Sequence, residues 1–270
     1  MKHSIITLNW NTTKLLIGLY ESLLKNTKEK FEFIIVDNGS KKDELKLLLS
    51  YFNQELNTNA QTVAFFDEKE NRIIIHRERE NRGFAAGNNE AISYAEGSVI
   101  SFINSDIVVD EKDWDQKVFD ILGEDVGCVG CAYHPLKWDK NANFHIQPVP
   151  SESVDSETVQ GAFFSVTERA LDDIKIMPKK MSMYFQKWFD DDNFPMAHYE
   201  ETDLQLRMMQ KGYKIKWIPI KHQHLHNRSA TKSNGYHLND DIKDMNDFKR
   251  NSNNNKMNLL KKHQWFFGGK

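Results

Sequence analysis

Polar side chains that carry oxygen atoms follow several strand-like segments of this sequence. Asn9 and Asn11 come after the first such segment. Asp37 ends the second, and Asp106 follows a later one. Any one of them can be explained as a helix cap or a turn residue, because Asn and Asp take those positions routinely. Four of them in register at one edge of a sheet are harder to explain in this way, because that edge is where such a fold places a ligand site.

A second group of charged side chains lies on a predicted helix that begins at Glu200. Glu201 shares a face of this helix with Leu204, so its carboxylate is expected to point toward the core. A partly buried carboxylate with a raised pKa is the usual general base for a hydroxyl group at neutral pH. Glu200, Asp203 and Arg207 lie on a different face. Asp203 and Arg207 are four residues apart, which predicts an ion pair on the helix surface.

Two short clusters contain residue types that bind metals. His222, His224 and His226 alternate, so all three project to one side of an extended segment. Alone, such a cluster is as consistent with a zinc-type site or a solvated edge as with catalysis. Cys128 and Cys131 form a lone C-x-x-C whose thiols fall on opposite faces of a predicted strand. Buried structural thiols therefore describe this pair better than zinc ligands.

The elements that must position these residues alternate in type along the first half of the chain. Strands are predicted at 4–8, 31–37, 72–76 and 98–104. Helices are predicted over 12–25, after 40, and from the Gly-containing loop 81–87 to 95. Alternating strands and helices predict right-handed β-α-β units and a mostly parallel sheet, with ligands bound at the carboxyl ends of the strands.

The second half of the chain is less regular. Residues 134–158 contain three prolines and are predicted to form a long loop. Further elements are predicted as a strand at 159–166, a helix from 167, a helix at 200–211 and a strand at 213–218. After Gly235 the chain is polar, which predicts a loosely packed tail.

Composition and charge exclude several classes of protein. The formal net charge is −3 with 28% charged residues, so no field of one sign points to a nucleic acid or an anionic membrane. The longest apolar runs, such as 31–36, are far shorter than the ~20 residues of a membrane-spanning helix. The first residues carry no basic flank with an apolar signal region. We therefore expect a cytoplasmic protein with no transmembrane span and no nucleic-acid partner.

Several short motifs follow one another from Ile5 to about Ser229. In chain order they are Ile6-Thr7-Leu8-Asn9-Trp10-Asn11, Val36-Asp37-Asn38-Gly39-Ser40, the glycine-containing run 81–89, Ile103-Asn104-Ser105-Asp106, Gly161-Ala162, the run 199–207 and Pro219 followed by His224. This order resembles that of the family 2 glycosyltransferases, particularly the rhamnosyltransferase-like branch. The resemblance implies a GT-A fold, a Rossmann-like, mostly parallel sheet flanked by helices. It also implies transfer of a sugar from a nucleoside-diphosphate-sugar donor to an acceptor hydroxyl.

The resemblance further implies roles for individual residues. Glu201 takes the position of the catalytic base, and Asp106 with His224 that of the ligands of a divalent metal, Mn²⁺ or Mg²⁺. The residues expected to bind the nucleotide are Asn9, Asn11, Asp37, Arg82, Gly83, Asn89 and Ser105. The residues expected on the acceptor side are Gly161, Ala162, Trp188 and Glu200.

We expect a single domain over residues 1–270. It would consist of a nucleotide-sugar-binding half at 1–106, an acceptor-binding half at 107–235 and a C-terminal tail at 236–270. The resemblance implies a UDP-, GDP- or dTDP-linked sugar as the donor and a glycan, a lipid-linked molecule or a protein as the acceptor. Transfer is expected to invert the sugar's configuration. It is also expected to be non-processive, because the Gln-x-x-Arg-Trp signature of polymerising relatives is missing.

Two alternatives are compatible with parts of the pattern. A nucleotidyltransferase that makes the sugar nucleotide would need a phosphate loop rich in Gly and Lys or Arg after the first strand, whereas this chain has Asn9-Trp10-Asn11 there. A non-catalytic relative that only holds a nucleotide sugar is supported by Asn104, which replaces the first Asp of a strict D-x-D. Glu201 also departs from the pattern, since relatives often have Asp at that position.

Overall fold

The structure is a computed structural model that describes residues 2–55, 60–132, 134–178, 186–225, 238 and 242–269. Its strands, in chain order, are β1 (His3–Asn9), β2 (Phe31–Asp37), β3 (Thr62–Phe66), β4 (Arg72–Arg77), β5 (Val99–Ile103), β6 (Ile107–Val109), β7 (Val126–Gly130), β8 (Leu136–Trp138), β9 (Phe144–Ile146), β10 (Val154–Asp155), β11 (Phe163–Thr167), β12 (Lys214–Trp217) and β13 (His222–His224). Its helices are α1 (Thr13–Asn26), α2 (Lys42–Tyr51), α3 (Gly83–Ile92), α4 (Trp114–Ile121), α5 (Glu168–Asp173), α6 (Glu200–Gln210), α7 (Met245–Lys262) and α8 (Gln264–Phe267).

Nine of these strands form one mixed sheet in the order β10-β12-β7-β11-β5-β1-β2-β4-β3. Six of the nine strands run in one direction, namely β1, β2, β4, β5, β7 and β12. The other three, β3, β10 and β11, run in the opposite direction. The predicted mostly parallel α/β sheet is therefore confirmed. Two short antiparallel pairs, β13 with β6 and β8 with β9, lie outside this sheet.

Apolar side chains of alternate strand residues enter two separate core clusters. Ile5 packs in the cluster that contains residues of α1, α2 and α4, and Ile6 packs in the cluster that contains residues of α3, α5 and α6. Burial of each such side chain contributes about 1.5–3 kcal/mol before entropy is counted. Cys131 belongs to the first cluster and Cys128 to the second. The two thiols thus lie on opposite faces, as predicted, and burial raises the pKa of both well above its usual value.

Three predictions of local structure were wrong. Residues 134–158, predicted as a long loop, contain β8, β9 and β10. Helix α3 already begins at Gly83, inside the predicted loop. The strand predicted from Val159 begins only at Phe163. The backbone of Val159 is bound by a side chain instead of a neighbouring strand: its N–H donates to Gln205 Oε1 at 2.6 Å, and Gln205 Nε2 donates to its carbonyl at 2.9 Å.

The C-terminal segment is not loosely packed, contrary to the prediction. Helix α7 spans 18 residues, and the Asp244 side chain caps its first turn by accepting from Asn246 N and Asp247 N. Leu259 and Phe267 pack in a third cluster with Trp138, Phe194 and Leu206. Among the described residues, no helix has both the length and the apolar character needed to cross a membrane. The division of the chain at 106 and 235 stays a prediction.

Asp203 and Arg207 do not form the predicted surface pair. Asp203 is 0% exposed, and its carboxylate accepts from Arg207 Nε at 2.9 Å. Its other oxygen lies 2.8 Å from both His263 Nε2 and Lys262 Nζ at the end of α7. Burial alone would raise the pKa of Asp203, but these cationic neighbours hold it well below its usual range. The buried Asp203 carboxylate therefore links α6 to the C-terminal segment.

Replacing Asp203 with Asn should lower the free energy of unfolding at pH 7 by about 3–5 kcal/mol, because the buried Arg207 guanidinium loses its counter-charge. A lowered pKa stabilises the fold above the unfolded value of about 3.9 and loses that effect as pH falls through the folded value. The difference between wild type and Asp203→Asn should therefore narrow below about pH 4. Urea unfolding of both proteins at pH 7 and below about pH 4 measures this difference in stability. Asp125→Asn, which breaks an exposed pair with Lys214, is the control and should leave the stability unchanged. Equal stability of Asp203→Asn and wild type at pH 7 would contradict the prediction.

Candidate active site

A cleft of about 740 Å³ opens at the carboxyl ends of the parallel strands. One wall comes from the segments that follow β1, β2, β4 and β5, with Asn38, Gly83 and Ser105 among its residues. The opposite wall consists of residues 160–162 and the segment 196–202, which leads into α6. The cleft therefore lies at the edge of the sheet where the sequence predicted a ligand site.

His224 lines one corner of the cleft, and Asp106 lies directly beside it, outside the lining. β6 pairs with β13, with His224 opposite Ile107, and this pairing brings the histidine next to the preceding residue, Asp106. His224 Nε2 lies 3.2 Å from Asp106 Oδ1, and both side chains are buried to about nine-tenths, at 10% and 7% exposed. Two ligands of one divalent ion, each bound at about 2.1 Å, are about 3 Å apart when adjacent. The spacing and the oxygen and nitrogen donors thus fit a divalent metal such as Mn²⁺.

The carboxylates of Glu200 and Glu201 lie at the first turn of α6 and line the cleft. Burial raises the pKa of Glu201, although hydrogen bonds from the backbone of Glu201, Thr202 and Gly161 act in the opposite direction. Burial and the neighbouring Glu201 charge raise the pKa of Glu200 further, and Glu200 Oε2 is buried without a hydrogen-bond partner among the described residues. The helix N-terminus offsets part of the cost of two adjacent carboxylates, because its free N–H groups carry partial positive charge.

Gly161 allows the segment 160–162, just before β11, to approach Glu201 closely. A Cβ atom at this position would lie 3.0 Å from Glu201 Cγ and 3.2 Å from its Cδ. The absent side chain leaves the Gly161 backbone able to donate to the carboxylate. Ala162 follows in the cleft wall, and its carbonyl accepts from Asn104 N at 2.9 Å. The two predicted acceptor-side residues of this motif therefore lie beside the predicted base.

Asn38 joins two loops of the first wall, the loop after β2 and the loop after β4. Its Nδ2 donates to Asn81 Oδ1 at 3.0 Å and to the Gly83 carbonyl at 3.1 Å. Its Oδ1 accepts from Arg82 N at 3.0 Å. Gly83 has φ of +83°, and a Cβ there would lie 2.4 Å from Met196 Cα, so only glycine fits this approach of the two walls.

Two residues predicted to contact the nucleotide are buried below the cleft. Asn9 and Asp37 are both 0% exposed, and Asn9 Nδ2 donates to Asp37 Oδ2 at 2.8 Å. The other Asp37 oxygen accepts from Ser40 N at 3.1 Å. Burial raises the pKa of Asp37, partly offset by these hydrogen bonds from Ser40 and Asn9. In this arrangement both side chains shape the loops behind the cleft and do not line it.

Besides Asp106, four further predicted residues lie outside the lining of the cleft. Asn11 accepts from Lys41 N at 2.9 Å, and Arg82 pairs with Glu78. Asn89 uses its whole amide on the 188–189 backbone: Oδ1 accepts from Trp188 N at 3.0 Å and Phe189 N at 2.8 Å, and Nδ2 donates to the Phe189 carbonyl at 2.9 Å. Trp188 packs against the second core cluster. The expected direct contacts of Asn89 with nucleotide and of Trp188 with acceptor are therefore not supported.

Several residues of the cleft wall were missed in the sequence. The wall also contains Trp10, Asn38, Asn81 and Phe84. Trp138 and Tyr199, which the sequence placed among the aromatic residues of the acceptor side, line the cleft as well. Asn38 directly follows the predicted Asp37, and successive side chains of an extended segment point to opposite sides, so the alternation of the strand could have identified it. His226, of the alternating histidine cluster, and Ser229 lie outside the described residues.

A second group with metal-binding residue types lies away from this corner. His76 Nε2 is 3.8 Å from Glu78 Oε1 and 3.7 Å from Glu90 Oε1, and all three residues are buried. The Arg82 guanidinium already pairs with Glu78 in this group. A fixed positive charge at the carboxylates disfavours a metal ion there, which leaves Asp106 and His224 as the better candidate.

Comparison with known proteins identifies the family. Residues 4–192 match the family model described as Glycosyl transferase family 2. The chain belongs to this family. A curated relative, the uncharacterized glycosyltransferase YfnE of Bacillus subtilis, is 32% identical over 112 residues, which are 40% of this chain and 24% of that protein. The chain thus spans much less than the full length of that relative.

Two solved structures resemble the chain as a whole. The mannosyltransferase PcManGT from Pyrobaculum calidifontis, in complex with GDP-Man and Mn²⁺, has a TM-score of 0.58 at 14% identity, covering 80% of this chain and 54% of that one. GalNAc-T7 with UDP, GalNAc and Mn²⁺ has a TM-score of 0.64 at 14% identity, covering 83% and 44%. The family match and these likenesses confirm the predicted GT-A fold.

Proposed function

We propose that this family 2 member transfers a sugar from a nucleoside-diphosphate-sugar donor to an acceptor hydroxyl, with the help of a divalent metal. The observation that carries the proposal is one cleft lined both by Glu201, a partly buried carboxylate of raised pKa, and by His224, whose Nε2 lies 3.2 Å from Asp106 Oδ1. Family membership supports the donor class, and the two similar structures contain GDP-Man and UDP respectively.

The donor is proposed to bind along the wall formed by the loops after β1, β2, β4 and β5. Ser105 and Gly83 lie in this wall, and Asn38 holds its two loops together. Asn9, Asn11, Asp37 and Arg82 support the wall from behind through contacts within the protein. A UDP-, GDP- or dTDP-linked sugar fits this proposal.

Asp106 and His224 are proposed to hold Mn²⁺ or Mg²⁺ beside the diphosphate. When bound, the ion would neutralise the charge that develops on the leaving nucleoside diphosphate. Asp106 supplies a hard oxygen donor, and His224 favours Mn²⁺, because imidazole suits transition metals. Asn104, in the place of the first Asp of a strict D-x-D, has its backbone N–H bound to Ala162 and lines the cleft without adding a carboxylate.

Glu201 is proposed to take the proton of the attacking acceptor hydroxyl. Its raised pKa keeps it a competent base near neutral pH, and its place at the first turn of α6 faces the cleft. Direct attack on the sugar from the side opposite the leaving group inverts its configuration. Gly161, Ala162 and Glu200 lie beside it and form the proposed acceptor side.

The acceptor is proposed to be a glycan, a lipid-linked molecule or a protein, modified by a single non-processive transfer. The order of the sequence motifs supports placement in the rhamnosyltransferase-like branch. The geometry favours the transferase over a module that only binds nucleotide sugar, because ligand binding gives no reason to bury two adjacent carboxylates. A nucleotidyltransferase is disfavoured because the loop after β1 has no lysine or arginine at residues 10–13.

Asp106→Asn should weaken binding of the nucleoside diphosphate at least tenfold in the presence of Mn²⁺, about 1.4 kcal/mol, because one metal ligand loses its charge. Calorimetry with UDP, GDP and dTDP measures this. Asp110→Asn, an exposed carboxylate just beyond β6, is the control and should bind as the wild type does. Equal affinity of the wild type with EDTA and with Mn²⁺, for each nucleotide, would exclude this metal site.

Glu201→Gln should lower kcat by roughly 10²–10⁴ while donor affinity stays unchanged, because the amide keeps the shape of the side chain but cannot accept the proton. The wild-type kcat should rise with pH through an acidic limb above the usual range of glutamate, and this limb should vanish in the variant. A thermal-shift panel first identifies the donor that stabilises the protein most. Sugar transfer from that donor then measures kcat and its pH dependence. Glu200→Gln is the matched comparison and should lower kcat much less, since burial already favours the neutral form of Glu200. Full turnover by Glu201→Gln, or a product that keeps the donor's anomeric configuration by NMR, would refute the mechanism.

A further inference from the structure

Helix α7 presents a row of asparagines to the segment that precedes α6. Asn251, Asn255 and Asn258 are spaced by four and three residues, so they share one face of the helix. Their side-chain amides all donate to backbone carbonyls of residues 193–198. This polar face binds another part of the backbone and is not a solvated face.

Asn255 makes the most contacts of the three. It is 1% exposed, and its Nδ2 donates to the carbonyls of Pro195 at 3.2 Å, Ala197 at 3.0 Å and His198 at 3.2 Å. Asn251 Nδ2 reaches two of these carbonyls, Pro195 at 3.1 Å and Ala197 at 3.3 Å. Asn255 Oδ1 is buried without a partner among the described residues. The burial of this amide is therefore explained by its donors, which hold three carbonyls at once.

The segment that these amides hold has an unfavourable backbone conformation. Met196, His198 and Tyr199 have φ of +67°, +78° and +74°, in the left-handed region. For residues other than glycine that region costs about 1–2 kcal/mol each. On the other side of the turn, Phe84 N donates to the Met196 carbonyl at 2.8 Å. Contacts from both α3 and α7 therefore keep the turn in a conformation that the isolated chain would not favour.

This turn determines where α6 begins. Tyr199 is the N-cap of α6, its side chain makes no capping hydrogen bond, and its carbonyl accepts from Asp203 N at 2.9 Å. Glu201 follows two residues later and lines the cleft with Met196 and Tyr199. A change in the turn would therefore move the first turn of α6 and the carboxylate that it carries.

We infer that Asn255 is a positioning residue for the proposed transfer: by binding the carbonyls of Pro195, Ala197 and His198 it fixes the left-handed turn and, through it, the Glu201 carboxylate in the cleft. The inference rests on the proposed function. Asn255 is not part of the cleft lining and acts only through the backbone that it holds. The C-terminal helix is thus a part of the acceptor-side machinery.

A purely structural role for α7 makes different predictions. Leu259 and Phe267 fill the third core cluster, so α7 also stabilises the fold by apolar burial. If that were its whole contribution, a polar change at Asn255 would lower the melting temperature but leave kcat of the folded protein unchanged. Positioning of the base instead lowers kcat at temperatures where the variant is fully folded.

The test compares Asn255→Asp with Asn254→Asp. Both variants add one negative charge to the same helix, but residue 254 is exposed, whereas Asn255→Asp removes the donors and places carboxylate oxygens against three carbonyls. Turnover is measured with Mn²⁺ and UDP-glucose, GDP-mannose or dTDP-glucose, as transfer to water. Asn255→Asp should lower kcat about 10- to 100-fold, since a misplacement of about 1 Å can cost a hundredfold. Its donor KM should stay within about twofold of wild type, and Asn254→Asp should behave as wild type.

Hydrogen exchange on the same proteins shows whether the turn has moved. Asn255→Asp should lose protection at residues 196–204 and keep it in the sheet. If Asn255→Asp does not fold, Asn251→Ala replaces it and should lower kcat several-fold. A wild-type kcat in whichever of these variants is folded, or a rise in donor KM equal to the fall in kcat, overturns the inference.

The results for Glu201→Gln and Asn255→Asp together separate an error in the proposed function from an error in this inference. If Glu201→Gln keeps full turnover, the base is wrongly assigned, and hydrogen exchange alone then decides whether Asn255 fixes the turn. If Glu201→Gln is inactive while Asn255→Asp turns over normally, the base is correct and Asn255 does not position it.

Discussion

Two adjacent carboxylates at one helix terminus, Glu200 buried and Glu201 partly buried, are the constraint on which the rest of the site depends. Glu200 and Glu201 would repel each other and lose hydration, so their place at the first turn of α6 requires compensation. The free N–H groups of the helix supply part of it, and the Gly161 backbone supplies more. Asp203, two residues on, is held by cations from α6 and α7, which fixes the helix from behind. The carboxylate pair is thus kept in the cleft although its surroundings raise the pKa of both members.

The rest of the fold brings a second set of groups to this carboxylate pair. The parallel strands end along one edge, and the loops that follow them form the wall opposite α6. A separate two-stranded pairing of β6 and β13 carries Asp106 and His224 to a corner of the same cleft. The left-handed turn before α6 contacts Gly83 across the cleft, so the two walls are joined at one point. Residues from the N-terminal, central and C-terminal parts of the chain therefore determine the dimensions of one site.

The sequence predicted what depends on local pattern, and it failed where distant contacts decide. The β1, β2 and α6 segments have strong periodicity and lie within a residue or two of where they were predicted. The pairing of Asp106 with His224 and the placement of Glu201 were available from motif order, although their catalytic roles stay predictions. Asn9 and Asp37 were expected in the cleft, but whether a side chain at a strand end turns toward the ligand or beneath it depends on loops far along the chain. The asparagine-rich α7 was predicted as part of a loosely packed tail, because its hydrogen-bond partners are distant in sequence. These partners, the carbonyls of residues 193–198, lie more than fifty residues away.

The most direct test of the central claim is a crystal structure of the chain with Mn²⁺ and a nucleoside diphosphate, with anomalous differences recorded at the manganese edge. If Asp106 and His224 hold the metal, one strong peak lies within about 2.0–2.3 Å of their ligand atoms. The diphosphate should then lie between this peak and the first turn of α6, with Glu201 facing the sugar side. A peak at His76, Glu78 and Glu90, or a nucleotide bound outside the cleft, would contradict this arrangement.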